Sequence, residues 1–389
     1  MKIGIVCYPT FGGSGVVATE LGKSLATAGH EVHFITYSQP SRLDILNENL
    51  FYHEVSFHTY PLFEYPPYEL ALASRLVCVA VNEKLDLLHV HYAIPHASAA
   101  YMAKQILRTK GIYIPIVTTL HGTDITLVGK DPSYAPVVTF SINESDGVTS
   151  VSEDLKKQTY AHFNVSRDIE VIPNFIDLKK FKKQTKDHFR KAICPQGEAL
   201  LVHISNFRKV KRIPDVIRIF NQVQKTIPAK LLLIGDGPER PPAEEMVREQ
   251  NIPDVRFLGK QEAVEEVLSV ADLFLLPSEK ESFGLAALEA MACEVPVISS
   301  NAGGLPELQI QGVTGFMSNP GDVDGMASNA LRILDKDNLP RFKQQALKRA
   351  HDFDVAAIRP KYEAFYEKIL ENSRRQHYNC DETIFHGNK

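Results

Sequence analysis

Short apolar runs alternate with helix-like segments twice along this chain, and that alternation constrains the fold before any motif is read. From the N-terminus, apolar runs at 2–7, 31–36, 87–91 and 114–119 are separated by helical patterns over about 15–28, 69–83 and 96–108. Runs at 147–151 and 170–172, with a helix at 153–162 between them, continue the series. Parallel neighbours need a long crossover, which the helices supply, and strands covered on both faces read as continuous apolar runs. Pro173-Asn-Phe-Ile-Asp177 and a lysine-rich stretch from Lys179 to Lys191 interrupt the pattern. A second series then places runs at 199–204, 230–234, 255–258, 272–277 and 295–299 between helices over about 213–226, 239–250, 262–270 and 284–293. Helical segments at 322–334, 338–352 and 355–371 close it.

The expectation is an α/β protein of two Rossmann-like, doubly wound parallel-sheet domains, residues 1–172 and 173–357. A helix at 358–372 is expected to pack back on the first domain, and residues 373–389 to form a frayed polar tail. Two such sheets facing across a cleft would let one hold a donor and the other an acceptor.

Composition removes several classes. With 389 residues and 44% hydrophobic content, the chain buries substantial cores. A net charge of −4 leaves no broad basic field for nucleic acid. No run approaches the roughly 18 apolar residues of a membrane span, and with an apolar strand expected at once from Lys2 no secretory leader is expected. The five cysteines, Cys7, Cys78, Cys194, Cys293 and Cys380, show no CxxC spacing, which points to free thiols in a reducing cytoplasm.

The segment Glu281-Ser-Phe-Gly-Leu-Ala-Ala-Leu-Glu289 follows the apolar run at 272–277, so it occupies the carboxyl end of a strand and the opening of a helix. The N–H groups of Phe283, Gly284 and Leu285 would then face an anion such as a diphosphate. Carboxylates at 281 and 289 suit sugar or ribose hydroxyls, although spacing alone is equally compatible with an ordinary acidic helix. Upstream, Ser205-Asn206-Phe207-Arg208-Lys209-Val210-Lys211-Arg212 puts cations at another strand end, where a solvated charge run competes with a phosphate grip. The turn Gly235-Asp-Gly-Pro238 and the segment Leu258-Gly259-Lys260 are candidate linings for a nucleobase. Both, like Asn301-Ala-Gly-Gly-Leu-Pro-Glu307, are also compatible with plain turns.

In the first half, Gly12-Gly13-Ser14-Gly15 precedes a helix and can admit a phosphate or carboxylate. Residues 13–18 match G-x-G-x-x-A, yet the second strand ends Ile35-Thr-Tyr-Ser38 without the acidic residue of a dinucleotide site, and no Walker lysine follows. Thr119-Leu-His121-Gly122-Thr123-Asp124 ends another strand, where His121 is either a sugar ligand or a structural partner. His89, His91 and His96 invite a metal reading, but no neighbouring carboxylate or cysteine completes a set, so His91 and Tyr92 are read as shaping the cleft.

Taken in order, Gly12–Gly15, Lys211, Gly-Asp-Gly-Pro at 235–238, the E-x7-E pair Glu281 and Glu289, and Gly-Gly-Leu-Pro-Glu at 303–307 resemble the retaining glycosyltransferases that include glycogen and sucrose-phosphate synthases. The resemblance spans residues 1–370 and implies the GT-B fold. It implies catalytic roles for His121, Lys211 and Glu281. Gly13, Gly15, Asn206, Arg208, Lys211, Lys260, Glu281, Phe283, Gly284, Leu285 and Glu289 would bind the donor. Within the family, the stretches 7–15, 65–68, 89–96, 119–124 and 205–212 are similar to a branch of bacillithiol biosynthesis. That branch transfers N-acetylglucosamine from UDP-GlcNAc to the hydroxyl of L-malate with retention. The implied partners are those two substrates, with no cofactor and a dispensable metal. Gly13, Ser14, Tyr92 and Thr123 are the candidates for the acceptor, and a homo-oligomer is compatible with the sequence. Where many family members have Gly-Arg-Leu before the lysine, this chain has Ser205-Asn206-Phe207, which leaves Asn206, Arg208 and Arg212 as alternative phosphate contacts. A different acceptor, a UDP-GlcNAc epimerase or a sugar-binding module are the competing readings.

Overall fold

The computed structural model describes residues 1–10, 12–43, 47–57 and 65–386, with side chains as far as residue 375. The chain divides into two compact units, Met1–Pro173 with the segment from Ala356 onward, and Asn174–Val355.

Unit 1 alternates β1 (Lys2–Val6), α1 (Gly13–Thr27), β2 (Glu31–Thr36), β3 (Leu50–Glu54), α2 (Tyr68–Glu83), β4 (Leu87–His91), α3 (Ser98–Arg108), β5 (Ile116–Leu120), α4 (Ala135–Glu144), β6 (Gly147–Ser150), α5 (Glu153–His162) and β7 (Ile169–Val171). The strands form one parallel sheet in the order β3-β2-β1-β4-β5-β6-β7, with Ile5 opposite Phe34 on one side and His89 on the other. Helices cover the sheet, so β4, Leu-Leu-His-Val-His, is buried along its whole length. Leu88 and Val90 join Leu72, Leu76 and Leu107 in a core against α2 and α3. His89 and His91 project together to the opposite side by the two-residue repeat of a strand.

Unit 2 begins with α6 (Asp187–Ile193) and β8 (Ala199–Ile204), followed by α7 (Ile213–Gln224), β9 (Ala229–Ile234), α8 (Arg240–Glu249), β10 (Val255–Gly259), α9 (Val264–Leu268), β11 (Leu273–Leu276) and α10 (Leu285–Ala292). It continues with β12 (Val297–Ser300), α11 (Leu305–Leu308), β13 (Gly315–Ser318), α12 (Val323–Leu334) and α13 (Leu339–Ala350). This second parallel sheet runs β10-β9-β8-β11-β12-β13. Phe220, Leu231, Leu273, Ile298 and Phe342 pack in one core beneath α7, α12 and α13.

The final helix, α14, runs from Val355 to His386 and so extends beyond the segment ending at 371 that periodicity suggests. Its Tyr362 and Tyr366 are fully buried, and the Tyr366 hydroxyl is 2.8 Å from His89 Nδ1 in unit 1.

Five elements are absent from the sequence reading, among them the one-turn helix α11, which overlaps the segment 301–307 read as a loop. β3 is an edge strand, Leu-Phe-Tyr-His-Glu, partly exposed and polar at its end, and β13 has only four residues, Gly-Phe-Met-Ser. α4, Ala-Pro-Val-Val-Thr-Phe-Ser-Ile-Asn-Glu, carries a proline in its first turn and leaves Val137 and Phe140 exposed, which blurs its apolar stripe. α6 overlaps the end of the lysine-rich stretch. It is secured by Arg190, which donates to the Val270 and Glu198 carbonyls and to the Asp272 carboxylate, each at 2.7 Å. Charge anchors this helix, so a hydrophobic pattern does not reveal it.

Candidate active site

In unit 2 the strand order reverses between β8 and β11, the place where open α/β sheets bind ligands beyond the strands' carboxyl ends. The loop leaving β8 is built from within. His203 donates through Nδ1 to the Leu275 carbonyl at 2.8 Å, so its Nε2 accepts from the Ser205 hydroxyl, also at 2.8 Å. Ser205 Oγ in turn accepts from the Phe207 N–H at 3.3 Å. Phe207 is buried, while Asn206 and Arg208 beside it are exposed. The chain then makes a short turn, Lys209–Lys211, and Lys211 Nζ donates to Glu281 Oε1 at 2.5 Å. The Ser278 hydroxyl reaches the same oxygen at 3.0 Å, and the Glu279 N–H donates to the Val210 carbonyl at 2.7 Å. Thus the loops after β8 and β11 are joined through both charge and backbone.

The loop after β12 clasps Glu281 from behind, where the Gly304 N–H donates to the Glu281 carbonyl at 2.9 Å. Gly303 adopts φ +63°, and a Cβ there would lie 1.8 Å from the same oxygen. We expect Gly303→Ala to cost about 2 kcal/mol or more in stability, since both the left-handed backbone and the close approach exclude a side chain. Thermal unfolding checks this, and an unchanged Tm would contradict it.

α10 opens at Gly284, whose φ of +97° requires glycine, and the N–H groups of Phe283, Gly284 and Leu285 donate no hydrogen bond among the described residues. They form a set of donors at a positive helix end. Phe283 offers only its backbone, because its ring is buried against Phe353 at 5.5 Å. Glu289 sits in the second turn of α10, 8% exposed.

In unit 1 the order reverses between β1 and β4. Gly13 opens α1 and Gly15 is buried in its first turn, while Phe11 of this loop lies outside the described residues. Tyr92 follows β4 with φ +82°, unusual for a bulky residue, and its hydroxyl donates to Ser14 Oγ at 2.7 Å. His121, at the end of β5, is held 2.7 Å from His91 Nδ1 through its Nε2. Burial pushes His121 down to about 3, so its ring is neutral. Thr123 begins the short turn Thr123–Leu127 that follows.

Asp124 completes this loop, and the motif reading gave it no role. It is 2% exposed and accepts from the Ala93 and Gly122 N–H groups at 3.0 Å each, tying the segment after β5 to the one after β4. Burial raises it to about 6 against the pull of those N–H donors. A lone acidic residue closing Thr-Leu-His-Gly-Thr-Asp was the available signal.

The structure brings Lys211 and Glu281 into contact, gathers Asn206 and Arg208 on the same loop, and places Ser14 against Tyr92. Lys260 is different. It follows β10, the edge strand two places from β8. Arg212 is also occupied, since its Nε donates to Asp215 Oδ2 at 2.6 Å. Of the alternatives for the phosphate, Asn206 and Arg208 are the exposed ones. Among the described residues, Glu31, His33 and Glu83 bring ligand atoms within 4.8 Å of one another, at the other end of β2, where Glu31 already pairs with Lys2 at 2.7 Å. No helix among the described residues is long and apolar enough to cross a membrane.

Comparison with known proteins agrees with this architecture. Residues 11–180 match the "Glycosyltransferase Family 4" model and residues 184–349 the "Glycosyl transferases group 1" model. The chain is 47% identical over 378 residues to the N-acetyl-alpha-D-glucosaminyl L-malate synthase of Bacillus anthracis, covering 96% of this chain and 98% of that protein. Among solved structures, Anabaena HepE, in complex with UDP and glucose, superposes with a TM-score of 0.79 at 20% identity, covering 94% of this chain and 99% of that one. Sucrose-phosphate synthase from Thermosynechococcus elongatus gives 0.78 at 22% identity, covering 96% and 100%. These two show the fold. On the sequence match and the paired parallel sheets, the chain is a glycosyltransferase of the group 1 and family 4 type, with the GT-B fold.

Proposed function

We propose that this enzyme transfers N-acetylglucosamine from UDP-GlcNAc to the hydroxyl of L-malate with retention at the anomeric carbon, giving GlcNAc-α-malate and UDP, the first step of bacillithiol biosynthesis. The observation that carries the donor half is the Lys211–Glu281 pair beside the open N-terminus of α10. The choice of donor sugar and acceptor is supported by the 47% identical relative and its name.

In this reading the diphosphate takes Lys211 from Glu281 and accepts from the N–H groups of Phe283, Gly284 and Leu285, with Asn206 and Arg208 completing the grip. Lys260 is the remaining donor-side cation. Glu281, released from Lys211, and His121 hold the transferred sugar, while Glu289 holds the ribose. Malate lies against Gly13, Ser14, Tyr92 and Thr123, and Gly13 and Gly15 are donor contacts as well. As UDP departs, charge grows on its phosphate oxygens, where a lysine and fixed N–H dipoles stabilise it without reorganisation. The malate hydroxyl enters on the same face and passes its proton to the leaving phosphate oxygen, so no strong protein base is required. Lysine and a helix N-terminus supply the positive charge, so we propose that metal is dispensable and no cofactor takes part. The setting would be the cytoplasm.

Glu289→Gln is expected to weaken UDP binding about tenfold, the loss of one charge-assisted hydrogen bond. Calorimetry with UDP measures it, and unchanged affinity would remove Glu289 from the ribose. The function itself is tested by incubating the protein with UDP-GlcNAc, with and without L-malate. Malate-dependent UDP release is expected. Conversion to UDP-ManNAc would establish the epimerase instead, and release with another hydroxyl compound but not malate would establish a different acceptor.

A further inference from the structure

We propose that His91 is a positioning residue that fixes the tautomer of His121: His91 Nδ1–H donates to His121 Nε2, leaving His121 with its proton on Nδ1 as a hydrogen-bond donor. That the recipient is the transferred sugar rests on the donor reading above.

The two nitrogens are 2.7 Å apart in a buried contact. The ring planes differ by 26° with centroids 5.0 Å apart, so the near-coplanar imidazoles meet edge to edge. A neutral imidazole has one N–H and one bare nitrogen, so only two arrangements satisfy this contact. In the first, His91 donates from Nδ1, its Nε2 is bare, and His121 carries Nδ1–H. In the second, His121 donates from Nε2, and the His91 proton must sit on Nε2.

The surroundings separate the two. His91 is fully buried, and among the described residues its Nε2 has no hydrogen-bond partner. The second arrangement therefore strands an N–H donor in the interior, whereas the first leaves only an unused acceptor. Orphaned buried N–H groups are the rarer and costlier of the two. Protonation of both nitrogens is opposed by burial, which holds the His91 and His121 rings neutral.

His91 has little freedom to turn away. Its carbonyl accepts from His96 Nδ1 at 2.5 Å, and its ring lies 4.4 Å, centroid to centroid, from His89. His89 is itself pinned between Thr119 Oγ1 at 2.7 Å and the Tyr366 hydroxyl of α14 at 2.8 Å. The sheet thus supplies a column of histidines behind the His121 imidazole. The consequence for chemistry is specific. With Nε2 occupied and Nδ1 protonated, His121 can donate to a hydroxyl or ring oxygen but cannot serve as the base for the acceptor.

Long-range proton–nitrogen correlation spectra of the full-length protein, labelled with ¹⁵N-histidine, report the tautomer directly. The expected result is His121 protonated on Nδ1 and bare on Nε2. The opposite tautomer in the wild-type protein overturns the proposal, and that measurement needs no variant. Two substitutions then separate tautomer control from packing. His91→Asn places an amide N–H donor near the position of Nδ1, and His91→Asp offers only acceptors there. We expect kcat with UDP-GlcNAc and L-malate within about fivefold of wild type for His91→Asn and lowered about 100-fold for His91→Asp, with UDP affinity unchanged in both. Equal losses in the two variants would mean that His91 only fills space, which also overturns the proposal. If the wild-type protein does not turn over these substrates, the sugar assignment fails while the tautomer result still decides the role of His91.

Discussion

Lys211→Ala is expected to lower kcat for UDP release by about 10²–10³-fold, with a much smaller change in the KM for UDP-GlcNAc. The asymmetry follows from where the charge appears. The bound diphosphate already carries negative charge, but the leaving oxygen gains more as the glycosidic bond breaks, so a fixed cation beside it favours the transition state over the bound substrate. Among the described residues, alanine also leaves Glu281 with only the Ser278 hydroxyl at its Oε1, where Lys211 now sits at 2.5 Å. Steady-state kinetics against both substrates checks the split. A raised KM with unchanged kcat would mean that Lys211 binds ground and transition states equally.

Acidification from pH 7 to pH 5 is expected to remove about 4–5 kcal/mol of stability from unit 1, a large share of the roughly 5–15 kcal/mol typical of a folded domain. Burial lowers His89 and His121 to about 3 and His96 to about 4, from 6.5. Below 6.5 the unfolded chain binds protons that these folded rings refuse, so their contribution is present above 6.5 and is lost as pH falls. At pH 5 each has lost about 2 kcal/mol, or roughly 6 for the three, and His91, also lowered by burial, adds to the same trend. Asp124 acts in the opposite sense. Its pKa is raised to about 6, so the folded state takes up a proton first and regains about 1 kcal/mol between pH 7 and pH 5. Thermal unfolding at the two pH values should show a Tm lower by about 10–20 °C at pH 5. An equal Tm would mean that these histidines are hydrated and free to charge.

The sheets were legible in the sequence because most of their strands are apolar on both faces. β4, Leu-Leu-His-Val-His, and β8, Ala-Leu-Leu-Val-His-Ile, stand out between helices even though β4 carries two histidines and β8 one. The edge strand β3 was not, because one side faces water and the apolar run dissolves. In the site, glycines and carboxylates at strand ends were visible as types and positions. Their partnerships were not. Lys211 and Glu281 are 70 residues apart and meet only because β8 and β11 are neighbours, an order that alternation of strands and helices does not specify. The same holds for His91 and His121, which adjacent strands β4 and β5 bring together. Asp124 and Gly303 act on backbone atoms of distant segments, so no local spacing marks them.

The most direct test of the donor site is a crystal structure with UDP-GlcNAc or UDP bound. The account predicts a diphosphate oxygen within hydrogen-bonding distance of Lys211 Nζ and of the N–H groups at Phe283 to Leu285, the ribose hydroxyls on Glu289, and the Lys211–Glu281 contact broken. A nucleotide bound elsewhere, or one bound here with Lys211 still paired to Glu281, would contradict it.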